Sequence, residues 1–433
     1  MIVKNAAGTL AACLQSARAV VDEMVVVDTG STDNTLEIAK SHGAVVASVP
    51  WRNSFSEARN AALALNRTDW VLALDADEEL DEGARFTLPA MLARSEVGAY
   101  SLVLRNYLLS RHGRIGNSHA KPNDSCHERA KHAGSYADFL GVRLFRRLPE
   151  IFYTGCVHER LTPQIAKSGL ALMPSGVCIH HFGFLLMGSE DFAKKVQMYH
   201  QLVRVKVEQE PENCFAWFDL GAHLLEYTNQ GEEALRCFDR ALELEPRLVA
   251  AWMQKGLVNL KLQRDEQALA AFEHAAGDKE SEVERSHRQG DALHNLGRLE
   301  EARRAYSFCL ERIGRYPEVA SKLGYTEVRL GDVQKGISRI LDAVEICSHS
   351  ADIRDRLVKA LIIAEMFPEA ADAAEEFATA IPEPRRFLRA AAIRRHLQQY
   401  DRTESILEKG VGVFPDSVEL RSAQAELRDH AHL

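Results

Sequence analysis

"MVVVDTGSTDNTLEIAKSHGAVVASV", residues 24–49, changes period twice. The apolar run from Met24 to Val27, closed by Asp28, reads as a short buried strand, and "TGSTDNT" as a polar turn. "NTLEIAKSHG" then reads as a helix stopped by Gly43, with Ser31, Thr32 or Asp33 available to cap its free amides. "AVVASV" is the next strand. Working outward, "FSEARNAALALN" (55–66) is a second helix and "WVLALD" (70–75) a further strand, buried on both faces. Strand, helix, strand, helix, strand implies a largely parallel sheet with helices on its faces. Such sheets bind ligands in the crevice beyond the carboxyl ends of their strands, and Asp28 and Asp75 both occupy that edge.

The run continues as "WVLALDADEEL" (70–80), an apolar strand directly against a carboxylate cluster. Alternation along an extended chain sends residues two apart the same way, so Asp75 and Asp77 are expected to address one point across Ala76. Taken alone, the cluster also fits a solvated turn.

A chain of 433 residues exceeds one typical core, so two or three domains are expected. The formal net charge of −9, from 62 acidic and 53 basic residues, argues against a general nucleic-acid binder, which needs a basic field. No stretch approaches the roughly 20 apolar residues of a membrane span, and the first residues lack a leader's basic and apolar pattern. A cytoplasmic location is expected. Eight cysteines without a C-x-x-C pair fit reduced thiols. Cys126, Cys156 and Cys178 each stand within two residues of a histidine, which keeps a structural zinc site as a minor option.

A different order begins past residue 212. Gly221, Gly256, Gly290 and Gly324 are spaced by 35, 34 and 34 residues, with small or apolar positions at matching offsets. Trp217, Ala234, Phe238, Ala241 and Pro246 mark one unit, and Trp252, Ala268, Phe272 and Ala275 the next. Weaker units follow at Ala302, Tyr306 and Cys309, at Gly336, Ile340 and Ala343, and at Ala370, Ala374 and Phe377. A degenerate one runs from Phe387 to Pro415. About six helix pairs of this kind resemble tetratricopeptide repeats, which stack because each pair alone leaves an apolar face wet. The expected domains are 1–188, a helical linker 189–212, and a repeat domain 213–433.

"MIVKN", "VVVDTGSTDNT", "PWRNSFSEARNAAL", "LALDADEEL", "LFRR" and "VHERL" occur in an order and spacing similar to family 2 glycosyltransferases of the GT-A, Rossmann-like α/β fold. With the repeats, the chain resembles the bacterial branch that includes peptide S-glycosyltransferases. The resemblance implies a probe-like division of labour at the sheet edge: Asp77 binds a manganese or magnesium ion, and Asp75, in the D-x-D motif, reaches the ribose of a UDP-sugar. A divalent cation stabilises the charge that develops on the leaving diphosphate. Asp28 is expected to accept a base N–H, with a turn carboxylate as its plain alternative. Arg59 faces nucleotide or phosphates, or else pairs with Asp28 or Asp75. Asn5 belongs to the nucleotide grip, and Asn60 holds loops near Asp75. Asp33 reads as a cap or turn residue.

Transfer also needs a base for the acceptor's proton. "GCVHERL" offers His158 and Glu159, of which Glu159 is preferred, and "CIHHFGF" supplies His181 as the further metal ligand. A histidine there also fits a structural role. The polar stretch 106–142 is expected to include a mobile loop over the donor, or else to be a disordered insertion, with Lys121, Arg129 or Lys131 near phosphate. Departures exist: Ala6 and Ala7 stand where relatives carry an acidic residue, and their first strand starts earlier than Met1. The expected partners are a UDP-sugar and a peptide, protein or glycan acceptor, with a homodimer through the repeats as a further option. The alternative is a catalytically inactive scaffold that acts through the repeats. The weakened "KNAAG" start favours it; the intact "DAD" and "VHE" oppose it.

Overall fold

The computed structural model describes residues 1–109, 114–115, 118–123, 125, 127–186, 188–276 and 282–431. Two compact units divide the chain, residues 1–230 and 231–433.

In the first unit, β1 (Ile2–Val3), β2 (Val25–Asp28) and β3 (Val45–Ser48) form a parallel sheet in that order. Between β2 and β3 lies the helix Thr35–Ser41, and Gly43 with φ +78° turns the chain back as expected of a residue without Cβ. The helix Phe55–Leu65 starts on Ser54, whose hydroxyl accepts the Glu57 amide at 3.2 Å. Parallel order stops there. A second sheet runs β4 (Trp70–Leu72), β10 (Ser135–Arg146), β6 (Val97–Leu108), β11 (Ala171–His181), β5 (Glu78–Leu80), and only β6 with β11 pairs parallel. Short strands β7 (Arg114–Ile115), β8 (Ser118–His119) and β9 (Lys121–Pro122) lie between β6 and β10.

One expectation needs correction. β4 is an edge strand, so Trp70, Val71 and Leu72 remain half-buried and only Ala73 and Leu74 are fully enclosed. The stretch 106–142, expected to include a loop, is strand at both ends: β6 and β10 pair from Ser135 opposite Leu108 to Phe145 opposite Ala99. Alternating apolar and polar residues such as "SLVLRNYL" carry that ladder despite the polar stretch beyond it. The helices Ser189–Gln209 and Cys214–Tyr227 complete this unit.

The second unit holds twelve helices among the described residues, from Gly231–Leu244 to Val418–Ala431. The glycines mark close crossings. A Cβ on Gly256 would lie 2.3 Å from the Phe272 ring, one on Gly290 2.6 Å from Tyr306, and one on Gly324 2.8 Å from Ile340. Each partner stands sixteen residues on, so the period in sequence is a period of contacts. Ala268, Ala275, Ala302 and Ala370 are fully buried, as expected of small residues where helices approach closely. No described helix is long and apolar enough to cross a membrane.

Candidate active site

The turn after β4 breaks the extended chain: the Glu78 amide donates to the Asp75 carbonyl at 3.0 Å. Alternation therefore fails here, and the two aspartates face different partners. Asp75 accepts from Arg59 at 2.8 Å and from Arg143 at 3.3 Å. Burial opposes its ionisation, but the two guanidiniums hold its carboxyl well below the usual range. Asp77 Oδ2 instead lies 3.3 Å from His181 Nε2.

Strand register explains that meeting. β11 sets His181 opposite Glu78 of β5 and opposite Asn106 of β6, and the Phe182 amide donates to the Asp77 carbonyl at 3.0 Å. His181 Nδ1–H donates to Asn106 Oδ1 at 2.6 Å, which turns Nε2 toward Asp77. Burial lowers the imidazole pKa, but the hydrogen bond and charge of Asp77 outweigh it and the net shift is upward. Asp77 shifts downward through the same contact.

This pair suits a divalent cation. Asp77 and His181 supply one carboxylate oxygen and one imidazole nitrogen, and a Cβ on Gly183 would lie 2.6 Å from both atoms. Only glycine leaves that space open. Four carboxyl groups, those of Asp75, Asp77, Glu78 and Glu159, meet two guanidiniums, Arg59 and Arg143, so acidic side chains outnumber arginines around the pair. Among the described residues no group of three or more His, Cys, Asp or Glu side chains could hold a metal. Phosphate and water ligands would have to complete the shell, as magnesium and manganese sites commonly require.

Arg59 bridges the site: its Nη2 donates to Asp75 and its Nε to Glu159, with Tyr153 5.6 Å beneath. Its side chain is thus engaged by two carboxylates. Asn60 exchanges bonds of 2.9 and 2.8 Å with the Tyr153 backbone, which places that ring. Glu159 follows His158, which takes the left-handed φ of +50° and packs against Tyr199. Burial lowers the His158 pKa. The turn is pinned from behind: Lys206, 2% exposed, donates to the Val157 carbonyl at 2.9 Å and to Asp219 at 2.6 Å.

At the β2 edge, Asp28 is 3% exposed and accepts the amides of Gly30 and Ser31 at 3.0 and 3.1 Å, a turn-closing role. Asn5 Oδ1 accepts the Thr32 amide at 2.8 Å, and Asp33 accepts those of Ala7 and Thr35 at 3.1 Å. Arg129 pairs with Glu79, Lys131 with Glu128, and Lys121 is exposed. Cys126 lies outside the described residues, while Cys156 donates to the Leu202 carbonyl.

Sequence reasoning missed Arg143, Glu78, Asn106 and Gly183. Arg143 stands at a bulge in β10, where register shifts between Val142 and Leu144, and bulges re-aim a side chain. Glu78 accepts the Asp75 amide at 2.8 Å and pairs with Arg143 at 2.7 Å, while burial raises its pKa. A signal existed for Glu78, which directly follows the D-x-D triplet; none existed for Asn106, which only register brings to His181.

Residues 1–130 match the family described as Glycosyl transferase family 2. A TPR repeat-containing protein of Synechococcus elongatus is 29% identical over 318 residues, covering 69% of this chain and 67% of that protein. An uncharacterized glycosyltransferase of Rickettsia felis is 42% identical over 82 residues, 19% of this chain and 29% of its own. The lipopolysaccharide core biosynthesis glycosyltransferase LpsC of Rhizobium meliloti is 33% identical over 115 residues, 25% of this chain and 42% of that one. The chain thus spans less than half of each of these two glycosyltransferases. Its N-terminal domain is a glycosyltransferase family 2 domain, and the chain joins this domain to a run of tetratricopeptide-like helix pairs.

Proposed function

We propose that the chain is a metal-dependent, inverting glycosyltransferase that moves a sugar from a UDP-sugar to a peptide, protein or glycan acceptor in the cytoplasm. The observation that carries the reading is the Asp77–His181 pair, open at Gly183 and backed by Asn106. A manganese or magnesium ion bound there supplies charge stabilisation for the departing diphosphate. Asp77 and His181 hold it, and the Asn106 hydrogen bond keeps Nε2 directed at it. Asp75, oriented by Arg59 and Arg143, meets the ribose, while Asn5 and Asp28 border the base. Glu159 takes the acceptor's proton, and Arg59 sets its distance from Asp75; His158 shapes the turn that presents it. Residues 1–188 carry the chemistry, 189–212 link, and 213–433 present the acceptor or a second subunit. Free cysteines at all seven described positions suit a reducing compartment.

The test is UDP release from a panel of UDP-sugars with manganese, with and without chelator. Release is expected to stop with chelator and to fall at least about 100-fold in Asp77→Ala, with helical content unchanged by circular dichroism. Turnover that survives both treatments rules out this metal site. Absence of turnover and of UDP binding across the panel would leave the scaffold alternative.

A further inference from the structure

β4 and β5 stand at opposite ends of their sheet's strand order, and only residues 73–77 join them. Backbone ladders fix β4 to β10 and β5 to β11, but among the described residues no ladder pairs β4 with β5. This connection carries both aspartates of the D-x-D triplet. With two soft dihedrals per residue it has about ten torsions to settle. Side chains must therefore hold it.

Two of them meet across the turn. Glu78, the first residue of β5, is 2% exposed. Its Oε2 accepts the Asp75 amide at 2.8 Å while its own amide donates to the Asp75 carbonyl at 3.0 Å, so residues 75 and 78 are bonded in both directions. The carboxylate reaches back three residues, as the glutamate of a capping box does. Its Oε1 accepts from Arg143 Nη2 at 2.7 Å, and the same nitrogen donates to Asp75 Oδ2 at 3.3 Å. Arg143 is anchored in turn, because its carbonyl accepts the Ala73 amide at 2.7 Å, just where β4 ends. The pair thus spans the connection from its first residue to the start of β5.

Register carries the effect to the cation pair. Glu78 stands opposite His181 in the ladder of β5 with β11, and Asp77 is its immediate neighbour in the chain. With Glu78 held by ladder and side chain together, Asp77 is presented to His181, and Oδ2 lies 3.3 Å from Nε2. Stability alone is a weak reason for such a pair: burying both ions costs desolvation, and apolar replacements of a buried pair are often neutral or stabilising. Positioning supplies a stronger one.

We infer that Glu78 is a positioning residue, which together with Arg143 locks the turn from Asp75 to Glu78 and so fixes Asp77 on His181. The inference rests on the glycosyl-transfer reading for the identity of the cation, and goes beyond it by making the cation site depend on two residues outside the Asp77–His181 pair.

Charge and position separate in two single variants. Glu78→Gln removes a negative charge and Arg143→Gln a positive one, so an effect through space weakens manganese binding in the first and tightens it in the second. Positioning weakens it in both. Manganese binding to the full chain without donor is measured by electron paramagnetic resonance of the free ion. Each variant is expected to lose affinity by at least about tenfold, as groups that orient a metal ligand do when removed. Unchanged affinity in Glu78→Gln, or tighter binding in Arg143→Gln, overturns the inference. Should either variant not fold, Glu78→Asp replaces it: the charge stays, but the shorter side chain cannot reach both the Asp75 amide and Arg143, and unchanged affinity there is equally fatal. A metal-free crystal structure of the same Glu78 variant is the second readout. The distance from Asp77 Oδ2 to His181 Nε2 is expected to open beyond about 4 Å, and an unchanged contact overturns the inference. If wild type binds no manganese, the glycosyl-transfer reading loses its metal site, while the crystal structure still decides on the positioning.

Discussion

At the residue scale, His181 serves two charge states with opposite pH trends. Its pKa in the folded chain is raised, so its ion pair with Asp77 contributes stability that is fully present below the ordinary histidine value and is lost as pH rises through the folded value. Cation binding needs the neutral ring and runs the other way. Manganese affinity, measured by calorimetry, is expected to fall about tenfold per pH unit below that raised pKa, and His181→Gln to remove most of the slope. A flat profile in wild type would exclude His181 as a ligand. Arg59→Lys tests the bridge: one ammonium cannot reproduce the fork that meets Asp75 and Glu159. UDP release is expected to drop at least about tenfold, with little change in melting temperature; full activity would show that the fork is dispensable.

At the element scale, the two helices Ser189–Gln209 and Cys214–Tyr227 are tied to the His158–Glu159 turn by Lys206 and Asp219, 2% and 6% exposed. Asp219→Ala leaves the buried ammonium without its carboxylate, and the expected loss in urea unfolding is about 3–5 kcal/mol. A loss under about 1 kcal/mol would mean that solvent reaches Lys206. In the second unit, Gly256→Ala forces a methyl into the Phe272 ring, an overpacking expected to cost about 1–3 kcal/mol. Pairing it with Phe272→Leu should restore part of that loss, because the shorter side chain yields the space. If Gly256→Ala is instead stabilising, helix propensity outweighs the contact.

For the whole molecule, residues 231–433 enclose their own core. One apolar cluster runs from Met253 through Phe272 and Tyr306 to Leu323, and another from Val328 through Ile340 and Phe377 to Leu427. Stacked pairs of this kind supply each other's buried faces, so this fragment is expected to fold alone, with strong helical dichroism and cooperative thermal unfolding. A fragment that stays unfolded would place part of its stabilisation outside these residues. The 34-residue period was legible before any coordinates, because a helix pair repeats its contacts at fixed offsets. The same holds for the helices Thr35–Ser41 and Phe55–Leu65 and for the stop at Gly43, but not for the expected cap: the first helix begins on Asn34 without a side-chain cap, in place of Ser31, Thr32 or Asp33. Asp77 and His181 were legible as residue types, since chemistry selects carboxylate and imidazole for a hard cation. Their meeting was expected only through the family resemblance and from no local pattern, and neither Asn106 beside His181 nor Arg143 beside Asp75 was expected at all. Sequence by itself determined what acts over a few residues: strand and helix periods, the stop at Gly43, and the spacing of the repeat. Tertiary structure alone decided which charges neighbour one another, because strand register and a single bulge join residues some 65 to 75 positions apart, and no local pattern encodes such a distance.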